Sequence, residues 1–197
     1  MLEKMSGNYD MKFSNLRTLY GYQFAHPGKK LTFMGGDFGQ FIEWDDHKEL
    51  DWFLLAYPRH AELQCWVREL NRFYREHPAM WERDTDWSGF EWLNVDDSDR
   101  SSIAFMRMSS GEYIVCVCNF TPMAWELQIA LPGAGTLQRL LDSDEVRFGG
   151  AGERDDAPIP AEEAEFRGSS HSALLPLPPL SCAYYSFTPS PARNAGV

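Results

Sequence analysis

Residues 31–44, LTFMGGDFGQFIEW, begin with strand-forming residues and then break at Gly35-Gly36 into a run holding an acid, a Gly-Gln pair and a Trp. Leu31 to Met34 is apolar and bounded by Gly28-Lys29-Lys30 before it and by the two glycines after it. This pattern predicts a short buried strand. Residues 37–57 then mix acids with aromatics without a sustained period, as in Glu43-Trp44-Asp45-Asp46 and Asp51-Trp52-Phe53. They read as a structured loop with a short helical turn, and loops of this length in compact domains tend to be functional.

Outward from this stretch, Phe13, Leu16, Tyr20 and Phe24 recur at helical spacing between Asp10 and Ala25, and Pro27-Gly28 stops the run. On the other side, Pro58 suits a first helical position. Leu63, Trp66, Val67, Leu70, Phe73 and Tyr74 form one stripe that predicts a helix over 58–77, closed by His77-Pro78. After Pro78 the chain changes character. Short strand-like runs at 90–95, 102–108, 113–121, 125–131, 136–141, 173–175 and 182–187 alternate with Gly, Pro, Asp or Ser turns. Such spacing predicts an antiparallel sandwich, with a domain boundary near 77–80. Residues 149–170, rich in Gly, Pro and acids, read as a long mobile loop, and PSPARNAGV (189–197) as a disordered tail.

A chain of 197 residues, 44% hydrophobic and 14% aromatic, can bury a real core. The net charge of −11 repels phosphate backbones and anionic lipid, so neither nucleic acid nor a membrane is expected as a partner. There is no apolar run of spanning length, and MLEKMSGNYD has no signal core, which places the chain in the cytoplasm. The four cysteines, Cys65, Cys116, Cys118 and Cys182, match no zinc or disulfide framework and read as free, mostly buried thiols.

Taken in order, residues 4–44, 50–81, VCNFTPMAWELQIALP (117–132), LLDSDEVRFGGAGE (140–153) and LPLPPLSCAYYS (175–186) closely resemble the C-terminal part of bacterial 1,4-alpha-glucan (glycogen) branching enzymes, in the alpha-amylase superfamily. The resemblance implies an α+β chain: the C-terminal remnant of a (β/α)8 barrel, its last strand and flanking helices, followed by an all-β antiparallel sandwich. On this reading residues 1–78 end the barrel and 79–188 form the C-terminal all-β domain. Leu31–Met34 looks like the eighth barrel strand. A lone barrel strand would present unpaired edges and apolar faces, a route to self-association that leaves the first 77 residues the less stable part.

Retaining chemistry on a glycosidic bond needs two carboxyl groups about 5 Å apart. The resemblance puts the catalytic Asp, Glu and Asp on earlier barrel strands and their motifs are missing here, so no catalytic residue is expected and the chain alone is expected to be inactive. Gln40, Glu43 and Trp44 stand at matching family positions on the barrel lip and Asp37 where the family most often has Glu, a shortened acid; the four become candidate alpha-glucan contacts, an indole covering a sugar face while polar neighbours bond its hydroxyls. The bland alternatives are that Asp37 bonds a loop or a neighbouring side chain and that Trp44 packs against the barrel. Ser6 and Asn8 depart from the Pro and Asp that the family carries, which loosens that loop.

No cofactor or metal is expected. Asp96-Asp97-Ser98-Asp99 lacks the Gly and Glu of a calcium loop and reads as a hairpin turn. Cys116 and Cys118 share one strand face without histidine partners, and His47 and His60 read as solvated. The competing functional class is a non-catalytic glucan-binding or scaffolding module, since the β region keeps a full set of strands and aromatics.

Overall fold

The computed structural model describes residues 1–152 and 154–191. Two helices precede the strands. Helix α1 (Tyr9–Ala25) starts at Asn8, whose side-chain oxygen accepts from the amide of Met11 at 3.0 Å, and it buries the expected stripe of Phe13, Leu16, Tyr20 and Phe24. Helix α2 (Pro58–Glu76) carries proline in its first turn, where the missing N–H costs nothing, and buries Leu63, Trp66, Val67, Leu70 and Phe73.

Among the described residues eight strands follow: β1 (Phe90–Asp97), β2 (Ser102–Met108), β3 (Tyr113–Asn119), β4 (Trp125–Leu131), β5 (Gly135–Asp142), β6 (Ile159–Pro160), β7 (His171–Leu177) and β8 (Ser181–Pro189). Six form an antiparallel sheet in the order β1-β2-β3-β8-β5-β6, and β4 pairs with β7 in a second sheet. The sandwich expected from turn spacing is present, and its large sheet is covered twice. One face packs Val115, Val117, Ala183, Tyr185 and Phe187 against Leu127 and Ile129 of β4 and Leu175 of β7. The other face packs Cys116, Cys118, Cys182 and Tyr184 against Phe13, Leu16, Trp66 and Phe73 of the helices. Burial on both sides explains why β3 reads Ile-Val-Cys-Val-Cys without polar alternation. This second cluster crosses residue 78, where the chemical character of the sequence changes.

Two polar ties fix α1, one to the sheet and one to α2. Tyr184 of β8 donates its hydroxyl to the Gly21 carbonyl of α1 at 2.5 Å, and Trp66 of α2 donates its indole N–H to the Arg17 carbonyl at 3.0 Å. Arg107 of β2, fully buried, donates to the Ala25 carbonyl at the end of α1 (2.6 Å), to the Met80 carbonyl after α2 (3.0 Å) and to the Asp84 carboxylate (2.6 Å).

Three expectations need correction. Leu31–Met34 forms no strand: among the described residues no strand lies beside it, and Leu31 and Phe33 are 75% and 65% exposed. A strand exists through its partners, and here the segment bonds only locally, the Leu31 carbonyl accepting from Gln23 at 2.6 Å and the Phe33 carbonyl from the Gly36 amide at 2.8 Å. The stretch 149–170 is not an unstructured loop, because it contributes β6, which pairs with β5, and Glu162 bridges to Ser172. The tail was expected to be disordered from residue 189. Yet β8 runs through Pro189, and the Ser190 amide bonds the Ala134 carbonyl at 2.9 Å; residues 192–197 lie outside the described residues. The Asp96–Asp99 segment is the expected hairpin end, Asp96 and Asp97 closing β1 and Ser98 to Ser101 turning.

Replacing Arg107 with Leu should lower stability by about 3–5 kcal/mol, since it strips the buried Asp84 carboxylate of its guanidinium and leaves it the Tyr74 hydroxyl at 3.3 Å, beside two orphaned carbonyls. Urea unfolding followed by Trp fluorescence reads this directly, and an unchanged midpoint would show that the triple contact contributes nothing.

Candidate functional site

The lip residues are arranged by two glycines. Gly35 (φ 72°) and Gly39 (φ 71°) both sit in the left-handed region and bracket a single tight turn, Gly36–Phe38. A Cβ at Gly39 would lie 2.9 Å from Leu63 of α2, so the turn needs glycine for space as well as for its backbone angle. Phe38 is buried at its centre. The Phe38 carbonyl is held by Nδ1 of His60 at 2.7 Å, which makes Nδ1 the protonated nitrogen because a carbonyl can only accept. Tyr20 of α1 donates to the Gly36 carbonyl at 2.8 Å; burial, with help from the Asp37 charge, pushes its hydroxyl up to about 12 and keeps it a donor.

His60 corrects the solvated reading: it is 1% exposed and its ring lies edge-on to Phe13, centroids 4.8 Å apart. A signal was present in the sequence, since His60 precedes Leu63 and Val67 by three and seven positions on the same apolar stripe. His47 is exposed, as expected, and lies 3.0 Å from Asp46.

The four candidate residues do not converge on one point. Asp37 turns toward α2 and accepts from the Gln64 side chain at 3.2 Å. Gln40 is 4% exposed and ties the loop together: its oxygen accepts from the Asp51 amide at 2.9 Å and its nitrogen donates to the Ile42 carbonyl at 2.9 Å. Glu43 is exposed and paired with Lys4 at 2.9 Å; the hydrogen bond and charge of Lys4 hold its carboxyl below the ordinary range. Trp44 is 45% exposed and meets Phe33 edge to face, centroids 5.8 Å apart.

Gln40, Glu43 and Trp44, with Tyr20, Leu31, Phe33, Met34 and Ile42, line a groove of about 390 Å³. Several of its walls are large apolar side chains open to solvent, more than scattered surface hydrophobics account for. Glu43 is the one carboxylate among the described residues lining it. The groove can therefore offer an apolar wall and a few polar groups to a ligand. It does not hold the facing acid and nucleophile that retaining glycosidic chemistry requires.

The known proteins that resemble this chain agree with the fold. Residues 92–188 match the family described as the alpha amylase, C-terminal all-beta domain, which defines the class of its β region. The chain also superposes on AmyP in complex with maltose (TM-score 0.63, 12% identity, 96% of this chain and 37% of that one) and on the acarbose complex of the alpha-amylase from Geobacillus thermoleovorans (TM-score 0.57, 15% identity, 91% and 34%). At such identities the likeness concerns the fold alone.

Sequence relatives narrow the class. The chain is 45% identical to the 1,4-alpha-glucan branching enzyme GlgB of Halothermothrix orenii over 188 residues, covering 94% of this chain and 30% of that enzyme. It is 43% identical to GlgB of Aquifex aeolicus (93% and 30%) and 38% identical to GlgB of Shewanella frigidimarina (94% and 25%). The chain belongs to the 1,4-alpha-glucan branching enzyme family and corresponds to the C-terminal region of these relatives, spanning less than a third of their length.

Replacing His60 with Phe keeps a ring in the core but strands the Phe38 carbonyl, and should cost about 1–3 kcal/mol. Urea titration tests this, and a variant as stable as the parent would mean that the bond does not hold the turn.

Proposed function

We propose that this chain acts as the C-terminal portion of a branching enzyme that cuts alpha-1,4 glucan and rejoins the piece through an alpha-1,6 bond, and that alone it performs no such chemistry. One observation carries the second half: among the described residues, the groove beside the Gly35–Gly39 turn holds a single carboxylate, Glu43, already paired with Lys4. The motif reading supports residues 1–78 as the end of a catalytic barrel. The exposure of Leu31, Phe33 and Met34 agrees with a segment covered by strands other than those among the described residues. The alpha-glucan is the proposed ligand of the groove, with Trp44 as its sugar-facing wall, Glu43 at the rim, and Gln40 and Asp37 holding the loop from behind. Among the described residues no helix is long and apolar enough to cross a membrane. The branching-enzyme reading, by itself, places the protein in the cytoplasm.

Iodine staining of amylose incubated with the purified chain should show no loss of the blue complex, and any branching would overturn the claim of incompetence. Affinity electrophoresis in glycogen separates out the ligand assignment: the chain should be retarded and Trp44→Ala released, whereas equal free migration of both would remove the groove as a glucan contact. The same uncovered apolar groove should drive self-association at high concentration. Sedimentation showing a monomer throughout would count against it.

A further inference from the structure

Strand β3 directs Cys116 and Cys118, and strand β8 directs Cys182, to the sheet face beneath helix α1. All three are free and buried. Their sulfurs form a triangle, 3.3 Å between Cys118 and Cys182, 3.7 Å between Cys116 and Cys182, and 3.8 Å between Cys116 and Cys118. The sheet register makes these three contacts unequal. Cys118 stands directly opposite Cys182. Cys182 directs its amide and carbonyl away from β3, bonding Ser143 at 2.8 and 2.9 Å, while Phe120, two residues on from Cys118, directs its amide to Ser101 on the far side. Cys118 and Cys182 are thus a non-hydrogen-bonded pair, the narrow kind with Cα atoms about 4.5 Å apart, inside the roughly 4.4–6.8 Å range that a disulfide spans.

The other two pairings fit worse. Cys116 stands opposite Tyr184, so it meets Cys182 on the diagonal at about 7–8 Å. Cys116 and Cys118, two residues apart on one extended strand, are about 6.8 Å apart with parallel side chains, at the outer limit.

We propose that Cys118 and Cys182 are an oxidative modification site, converted by a small hydroperoxide into a cross-strand disulfide. The Cys118 thiolate attacks one oxygen of hydrogen peroxide and breaks the O–O bond, giving a sulfenic acid and a hydroxide that takes up the proton the thiol had released and leaves as water. The Cys182 sulfur then displaces the sulfenic oxygen as a second water and closes the S–S bond. In sum two thiols and one hydrogen peroxide yield one disulfide and two waters. Burial raises all three thiols, but the two neighbouring thiols and the charge of Arg154 outweigh it at Cys118 and make it the most acidic of the trio. All three thiols are fully buried, and α1 passes over Cys182 at Gly21 so closely that a Cβ there would come within 2.7 Å of the sulfur, so the oxidant reaches them only when the helix opens from the sheet. The product is neutral and suits an apolar core. A metal held by three thiolates would leave net charge there, and no fourth His, Asp or Glu ligand joins the cluster among the described residues.

The test treats the folded 197-residue chain with hydrogen peroxide, counts thiols after denaturation and maps peptides by mass. Free thiols should fall from four to two, with a mass lower by two hydrogen atoms and one cross-linked peptide joining Cys118 to Cys182. Cys116→Ser should form the same link more slowly, and Cys182→Ser should form none. Four thiols surviving in the folded wild type, a link through Cys116 or Cys65, or oxidation that stops at a Cys118 oxyacid would each overturn the proposal. The wild-type map decides even if a variant fails to fold. Neither result bears on the glucan reading, which the iodine and glycogen assays test separately.

Discussion

The close approach of helix α1 to strand β8 sets the rest of the structure. At Gly21 the helix has no side chain, and Cys182 fills the space that a Cβ would need. Beside it, Tyr184 reaches the Gly21 carbonyl with its hydroxyl. A helix seated this tightly covers one face of the six-stranded sheet, which leaves the other face for β4 and β7. Arg107 then locks the exit of α1 and the connection after α2 to the same sheet through two carbonyls and Asp84. The helical part and the strand part are accordingly one packing problem, although their compositions differ.

The opposite side of α1 and α2 is finished differently. The Gly35–Gly39 turn is held from inside by Tyr20 and His60, and Gln40 closes the loop that follows. Outside this well-bonded frame, Leu31, Phe33, Met34, Ile42 and Trp44 stand in the open. An uncovered apolar surface thus lies over a hydrogen-bonded frame. It fits a chain that spans less than a third of the branching enzymes it belongs with.

The buried thiols lie on the sheet face that packs against the helices, and the groove lies beside the Gly35–Gly39 turn. Their chemistry is governed by strand register and the groove's by loop conformation. The two features share helix α1, whose Tyr20 braces the turn and whose Gly21 covers the thiols, so a change in how that helix sits would be felt at both.

Local rules made much of the architecture legible. A 3.6-residue period with proline and glycine stops marks α1 and α2, and apolar runs between turn residues mark seven of the eight strands, because these signals depend on neighbours a few positions away. The resemblance in the motifs reached the family by the same local route. What escaped depended on contacts distant in sequence. Leu31–Met34 has strand composition but no partner to pair with; β6 is two residues that exist only beside β5; and Gln40 and Asp37 point where the loop and α2 pull them. Residue types and their spacing determined which segments could become helix or strand. Only the tertiary structure decided which of them found partners and which way their side chains faced, because a hydrogen bond or a buried face needs a second surface that no single stretch of chain contains.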